Sequence, residues 1–133
     1  MTIQATGTFV GKSWDEKPFH ELAGAPRLAR ASVANAFHGD VEGDGTLEYL
    51  LIYREDGSCG YIGVERVVGR IGDRSGSFVL QHEGNYAVDT ATGTWFVVPG
   101  SGTGELHGLQ GDGAFVGKHG EPSASYTLDY DFA

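Results

Sequence analysis

Apolar and polar residues alternate with a period of two over most of the chain, in short runs separated by clusters of glycine, aspartate, asparagine and serine. Alternation of this kind puts the apolar side chains on one face of an extended strand. It predicts strands near residues 3–10, 28–37, 46–53, 59–68, 77–86, 92–98, 113–118 and 125–132. Residues 13–27 read as irregular, because Trp14, Pro18 and Pro26 interrupt any period and Ala23-Gly24-Ala25-Pro26 signals a loop. Short strands at this spacing, joined by turn clusters, predict an all-β fold: one domain over residues 1–133 that closes as an antiparallel barrel of about eight strands.

The hairpin Arg54-Glu55-Asp56-Gly57-Ser58 joins two apolar runs. Asp-Gly is favoured at the centre of a two-residue type I′ turn, and that turn would place Glu48 opposite Glu65, Leu50 opposite Gly63 and Ile52 opposite Tyr61. A two-residue loop within Gly72-Asp73-Arg74-Ser75-Gly76 puts Glu65 opposite Leu80 or His82, and a short loop after Tyr86 brings His82 and Trp95 to one side. One face then carries Thr46, Glu48, Leu50, Ile52, Tyr61, Gly63, Glu65, Phe78, Leu80, His82 and Trp95. It is assigned to the interior because it mixes small and large residues, as a barrel lumen requires. The opposite face, with Tyr49, Leu51, Tyr53, Ile62, Val64 and Phe96, is also apolar and suits a homo-oligomer, a dimer or trimer.

Composition narrows the partners. Eighteen acidic residues against nine basic ones give a net charge of −9, with the basic residues scattered, so binding to a phosphate backbone is disfavoured. The single cysteine, Cys59, excludes an internal disulfide. No apolar run is long enough to span a bilayer as a helix. Without a charged head and apolar signal segment before the first strand, a cytoplasmic location is expected, with neither nucleic acid nor membrane as partner.

Candidate chemistry follows from the inward face. Glu48 and Glu65, side by side in an apolar site, could not both ionise cheaply, and His82 stands beside them. This is a setting for general acid and base work, and the competing reading makes them surface charges paired with Arg54, Arg66 or Arg74. Trp95, Tyr61, Phe78, Tyr126 and Leu50 would form the walls of a site for a small hydrophobic molecule. No cofactor or metal is called for. The glycine-rich stretch from Pro99 to Leu109 lacks the lysine of a phosphate loop and the spacing of a dinucleotide loop, and reads as a crossover whose Leu106 and Leu109 plug one mouth. Asp40-Val41-Glu42-Gly43-Asp44-Gly45 begins like a calcium loop, but its twelfth position is Leu51, and it reads as a solvated turn. The five histidines show no zinc spacing, and Cys59 has no basic neighbour to activate it.

Several segments resemble a bacterial family of small proteins known only as a domain of unknown function. They are residues 39–50, Glu65-Arg66-Val67-Val68-Gly69-Arg70, residues 75–82 and 91–106, the closing Tyr126-Thr127-Leu128-Asp129-Tyr130, and the opening Gly7-Thr8-Phe9 with Ser13-Trp14-Asp15. That family is grouped with the allene oxide cyclase-like, calycin-like and lipocalin-like barrels, which include plant cyclases, dirigent proteins and bacterial polyketide cyclases. The resemblance implies an eight-stranded barrel with a cavity, and no catalytic motif of the cyclases transfers onto these residues. The functional expectation is a cofactor-free isomerase or cyclase using Glu65, Glu48 and His82. The alternatives are a non-catalytic barrel for a small hydrophobic ligand and an oligomeric interaction protein.

Overall fold

The computed structural model describes residues 2–133. Nine strands follow one another: β1 (Ile3–His20), β2 (Arg27–Gly39), β3 (Val41–Tyr53), β4 (Cys59–Ile71), β5 (Arg74–Ala87), β6 (Thr90–Val97), β7 (Thr103–Gly104), β8 (Leu109–Lys118) and β9 (Ala124–Phe132). Eight of them run in the order β4-β3-β2-β1-β9-β8-β6-β5, and β5 pairs back onto β4 to close an all-antiparallel barrel, while the two-residue β7 lies outside on β5. Closure leaves no full-length sheet edge for aggregation. Among the described residues no helix is long and apolar enough to cross a membrane.

Two departures from the sequence reading have local causes. Residues 13–20 are strand, the second half of β1. Their alternation is hidden by a bulge: Gly11 pairs with Asn35 and Ser13 with Ala34, so Lys12 is an extra residue without a partner. An extra residue changes which side chains face inward. Before it, Phe9 and Gly11 share a face with the buried Phe37 and Asn35; after it, Trp14 and Glu16 lie opposite the buried Val33 and Ala31.

The second departure is the β3–β4 turn. Gly57 N donates to Arg54 O and Arg54 N to Ser58 O, while Gly57 has φ +88°. The loop therefore has three residues, Glu55-Asp56-Gly57, ending on a left-handed glycine bulge. Asp56 fixes it by accepting from Ser58 N and Ser58 Oγ. One more loop residue shifts the register by one: Glu48 faces Val64, Leu50 faces Ile62, and Leu47 faces Glu65. The slip turns β3 over. Leu47, Tyr49 and Leu51 are buried, and Tyr53 packs against the same core, whereas Leu50 and Ile52 are exposed. The expected placements of Glu48 and Leu50 inside, and of Tyr49, Leu51 and Tyr53 outside, are both reversed. Strands β4, β5 and β6 keep the expected faces: Tyr61, Glu65, Phe78, Leu80, His82 and Trp95 are all buried.

The two ends of the barrel differ. At the end where Val41 pairs with Ile71, the crossover from β6 to β8 turns through Leu106 N to Thr103 O and Leu109 N to Leu106 O, and buries Leu106 and Leu109 in the core. The other end, where Tyr53 meets Cys59, is open.

Candidate functional site

The open end leads into a cavity of about 640 Å³ lined by Tyr49, Tyr61, Leu47, Leu51, Val33 and Phe115. Roughly 300–1,000 Å³ is usual for a small-molecule site. Around its mouth stand Lys12, Trp14, Tyr53, Lys118, His119 and Glu121. The mouth exists because β9 covers β1 only from Ile3 to Phe9, so residues 10–20 continue as a ribbon with β2 alone. Across that gap lies the β8–β9 connection, which contributes Glu121, Pro122 and Ser123.

The register builds a polar group into the cavity floor. Tyr49 faces Gly63 across β3 and β4, and Gly63 faces His82 across β4 and β5. A Cβ at Gly63 would collide with the Tyr49 ring and the Glu48 carbonyl. With no side chain between them, Tyr49 and His82 meet over β4, Oη to Nδ1 at 3.0 Å. His82 Nε2 lies 2.8 Å from Glu65 Oε1, and Asn35 Nδ2 donates to Glu65 Oε2 at 2.9 Å. Glu65 is 0 % and His82 1 % exposed, and every fully buried side-chain polar atom of the described residues has a partner.

One arrangement of protons gives every atom of this row a partner. In it the Tyr49 hydroxyl, which has no other hydrogen-bond partner among the described residues, donates to His82 Nδ1. The imidazole then carries its proton on Nε2 and donates to Glu65, which accepts on both oxygens as a carboxylate. Burial, with smaller contributions from Tyr61 and Glu65, raises the Tyr49 phenol well above the usual tyrosine range and keeps it protonated. Burial also raises Tyr61, whose hydroxyl donates to Thr92 O at 2.9 Å. Tyr49 and Asn35 border the cavity, whereas His82 and Glu65 stand behind them.

The remaining predicted residues separate. Trp95, Phe78 and Tyr126 are buried in the packed interior outside the cavity lining. Trp95 Nε1 donates to Thr127 O, and the Tyr126 hydroxyl accepts from Val41 N and donates to His38 O, so both polar tips hold backbone. Of the predicted walls, only Tyr61 lines the cavity. Leu50 is 47 % exposed on the outer face, beside Ile62 and Val64. Glu48 is outside as well, where Arg30 donates to it from Nε and Nη2 at 2.9 and 2.7 Å. The Ser32 hydroxyl and then Arg30 hold its carboxyl below the usual range. Cys59 lines the cavity, but burial first and the Glu16 charge second push its thiol up, away from nucleophilic reactivity.

Two members of the site, Tyr49 and Asn35, escaped the sequence reading. The signal for Tyr49 was the charge-free alternation Leu47, Tyr49, Leu51, Tyr53, against a set containing Glu48. Asn35 carries no such signal, since its role depends on β2 lying beside Glu65 across β3. Among the described residues no three His, Cys, Asp or Glu side chains gather as a metal site.

Comparison with known proteins places the whole chain. Residues 5–130 match the family described as "Protein of unknown function (DUF3224)". A crystal structure of a protein of unknown function from that family, from Shewanella oneidensis MR-1, is similar over 100 % of this chain and 99 % of its own, with 32 % identity and a TM-score of 0.82. Among curated proteins no sequence matches the chain.

Proposed function

For this chain, which belongs to the DUF3224 family, we propose binding of a small, largely apolar molecule inside the open end of the barrel. The carrying observation is the cavity of about 640 Å³ with aromatic and aliphatic walls and a single polar patch at its floor. That is the usual make-up of a small-molecule pocket. Gly11 supplies a test, because a Cβ there would meet only Asn35 Oδ1, at 3.8 Å, so Gly11→Leu fills the cavity without striking backbone. A ligand that binds only the folded protein raises its melting temperature. Bicyclic aromatic probes, 2-naphthoate and its methyl ester, are expected to stabilise the wild type and not Gly11→Leu. No stabilisation by either probe, or equal stabilisation of the filled variant, would overturn the reading.

A second reading, a cofactor-free isomerase, is favoured by the chain Tyr49–His82–Glu65. A proton delivered by a bound ligand to Tyr49 Oη would send the tyrosine's own proton to His82 Nδ1 and the Nε2 proton to Glu65. Glu65 would then be the base without touching the ligand, and Tyr49 and His82 would end neutral. Return of the proton to a different ligand atom would complete an isomerisation. The expected sign is faster exchange of the α-hydrogens of 2-tetralone in D2O with wild-type protein, lost in Glu65→Gln. Exchange at the buffer rate with the wild type would remove this reading and leave binding intact.

A further inference from the structure

The cavity has two chemically unlike ends, and together they specify the ligand's charge and its direction of entry. The whole chain holds three lysines, Lys12, Lys17 and Lys118, within a net charge of −9. Two of the three, Lys12 and Lys118, line the cavity mouth, with His119 beside Lys118. Lys12 stands there because it is the extra residue of the β1 bulge, and Lys118 because it ends β8, opposite Thr90. Neither lysine forms an ion pair among the described residues.

The acids nearby do not cancel them. Glu121 also lines the mouth, one carboxylate against two ammonium groups and an imidazole. Glu16, which accepts from Trp14 Nε1 at 2.9 Å and from the Tyr53 hydroxyl at 2.6 Å, keeps its negative charge outside the lining. Arg27 adds a further cation, 4.5 Å above the Tyr53 ring. Asp89 lies behind His119, whose N donates to its carbonyl, and Arg27 offsets Glu16, so within the lining itself two ammonium groups stand against one carboxylate; charges beyond about 8 Å are largely screened at physiological ionic strength.

The floor has the opposite preference. Its polar groups are turned toward the protein: Tyr49 Oη bonds to His82, Asn35 Nδ2 gives one of its two hydrogens to Glu65, and Tyr61 Oη donates to Thr92 O. The Asn35 carbonyl oxygen remains as an acceptor, with the Glu65 carboxylate behind it. An anionic group there would lie against a buried carboxylate with no cation beside it.

We infer that the ligand is an apolar carboxylic acid, bound with its carboxylate between Lys12, Lys118 and His119 at the mouth and its apolar body directed toward Tyr49 and Asn35. This rests on the binding reading above and deepens it. Titration calorimetry with 2-naphthoate and methyl 2-naphthoate, which share a ring system and differ in charge, tests it. The acid is expected to bind wild-type protein more tightly than the ester and to weaken between 50 and 300 mM salt. In the double variant Lys12→Gln, Lys118→Gln its affinity should fall about three- to tenfold, as two partly exposed charge contacts predict, with the ester unchanged. Both lysines are exposed, so the variant should fold, which its unchanged melting temperature would verify. Equal affinity for acid and ester, or an acid affinity untouched by the double variant, would overturn the charge assignment and leave the binding cavity standing. Absence of binding by both probes would overturn the two together.

Discussion

At the closed end of the barrel, Phe78, Leu80, Leu106 and Leu109 are buried to within 2 % of complete, and the polar tips of Trp95 and Tyr126 are tied to backbone. At the open end, Tyr49, Tyr53 and Tyr61 surround the cavity; Tyr49 is tied to His82 and Tyr53 to Glu16, both side chains, and Tyr61 to the Thr92 carbonyl. The contrast arises at the rims: the β6–β8 crossover lays Leu106 and Leu109 over one end, whereas at the other β1 runs on beyond Phe9 without β9 beside it. Packed atoms at one end make the fold stable, and the network of Tyr49, His82, Glu65 and Asn35 marks where packing stops.

This contrast can be challenged by substitution. Phe78→Ala should cost about 3–5 kcal/mol, the range for a large side chain removed from a packed core, and Leu51→Ala at the cavity wall should sit near the lower limit of about 2 kcal/mol for its class. Urea denaturation of both would measure the difference, and equal costs would mean that the two ends are equally packed. Gly63→Ala should cost about 1–3 kcal/mol, as added volume does in a filled site. Its readout is the loss of the Tyr49–His82 contact, followed by the His82 ring signals in NMR.

A pH series reads the buried phenols of both ends together. The phenols of Tyr49, Tyr53, Tyr61 and Tyr126 are all raised, in each case mainly by burial. In the unfolded chain they ionise near pH 10. A group whose pKa is higher in the folded state contributes stability that is complete below the unfolded value and is lost as pH rises above it. The urea midpoint is therefore expected to fall above about pH 10, and less steeply in Tyr49→Phe. A midpoint flat to pH 11 would contradict the burial of these hydroxyls.

The smallest effect lies in the β5–β6 turn at the open end. Val88 and Asp89 adopt φ of 51° and 62°, and Val88 is 95 % exposed. A β-branched residue is disfavoured in the left-handed region, where asparagine is tolerated. Val88→Asn should thus gain up to about 1 kcal/mol, measured as a higher melting temperature.

Much of this architecture could be read from alternation. The strands, the closure and the inward faces of β4, β5 and β6 follow from period-two patterning, which is why Glu65 and His82 were found. The losses trace to single residues. Asp-Gly serves equally in a two-residue turn and at the end of a three-residue loop, and choosing the former exchanged Tyr49 for Glu48. In β1, the bulge at Lys12 breaks the period, and Pro18 hides the strand that resumes. Asn35 depends on a contact across an intervening strand, and no local pattern encodes that.

The bulge at Lys12 also lets the chain carry a charged residue at the entrance that takes no place in the strand register. Removing that one residue would let the pair Gly11–Asn35 run straight on into Ser13–Ala34, so Trp14 and Glu16 would still face Val33 and Ala31 while the bulge and its lysine left the mouth. The floor would be spared, because β9 is paired with β1 only as far as Phe9. A single deletion would thus take one charge and one irregularity out of the doorway of this barrel while every strand keeps its register.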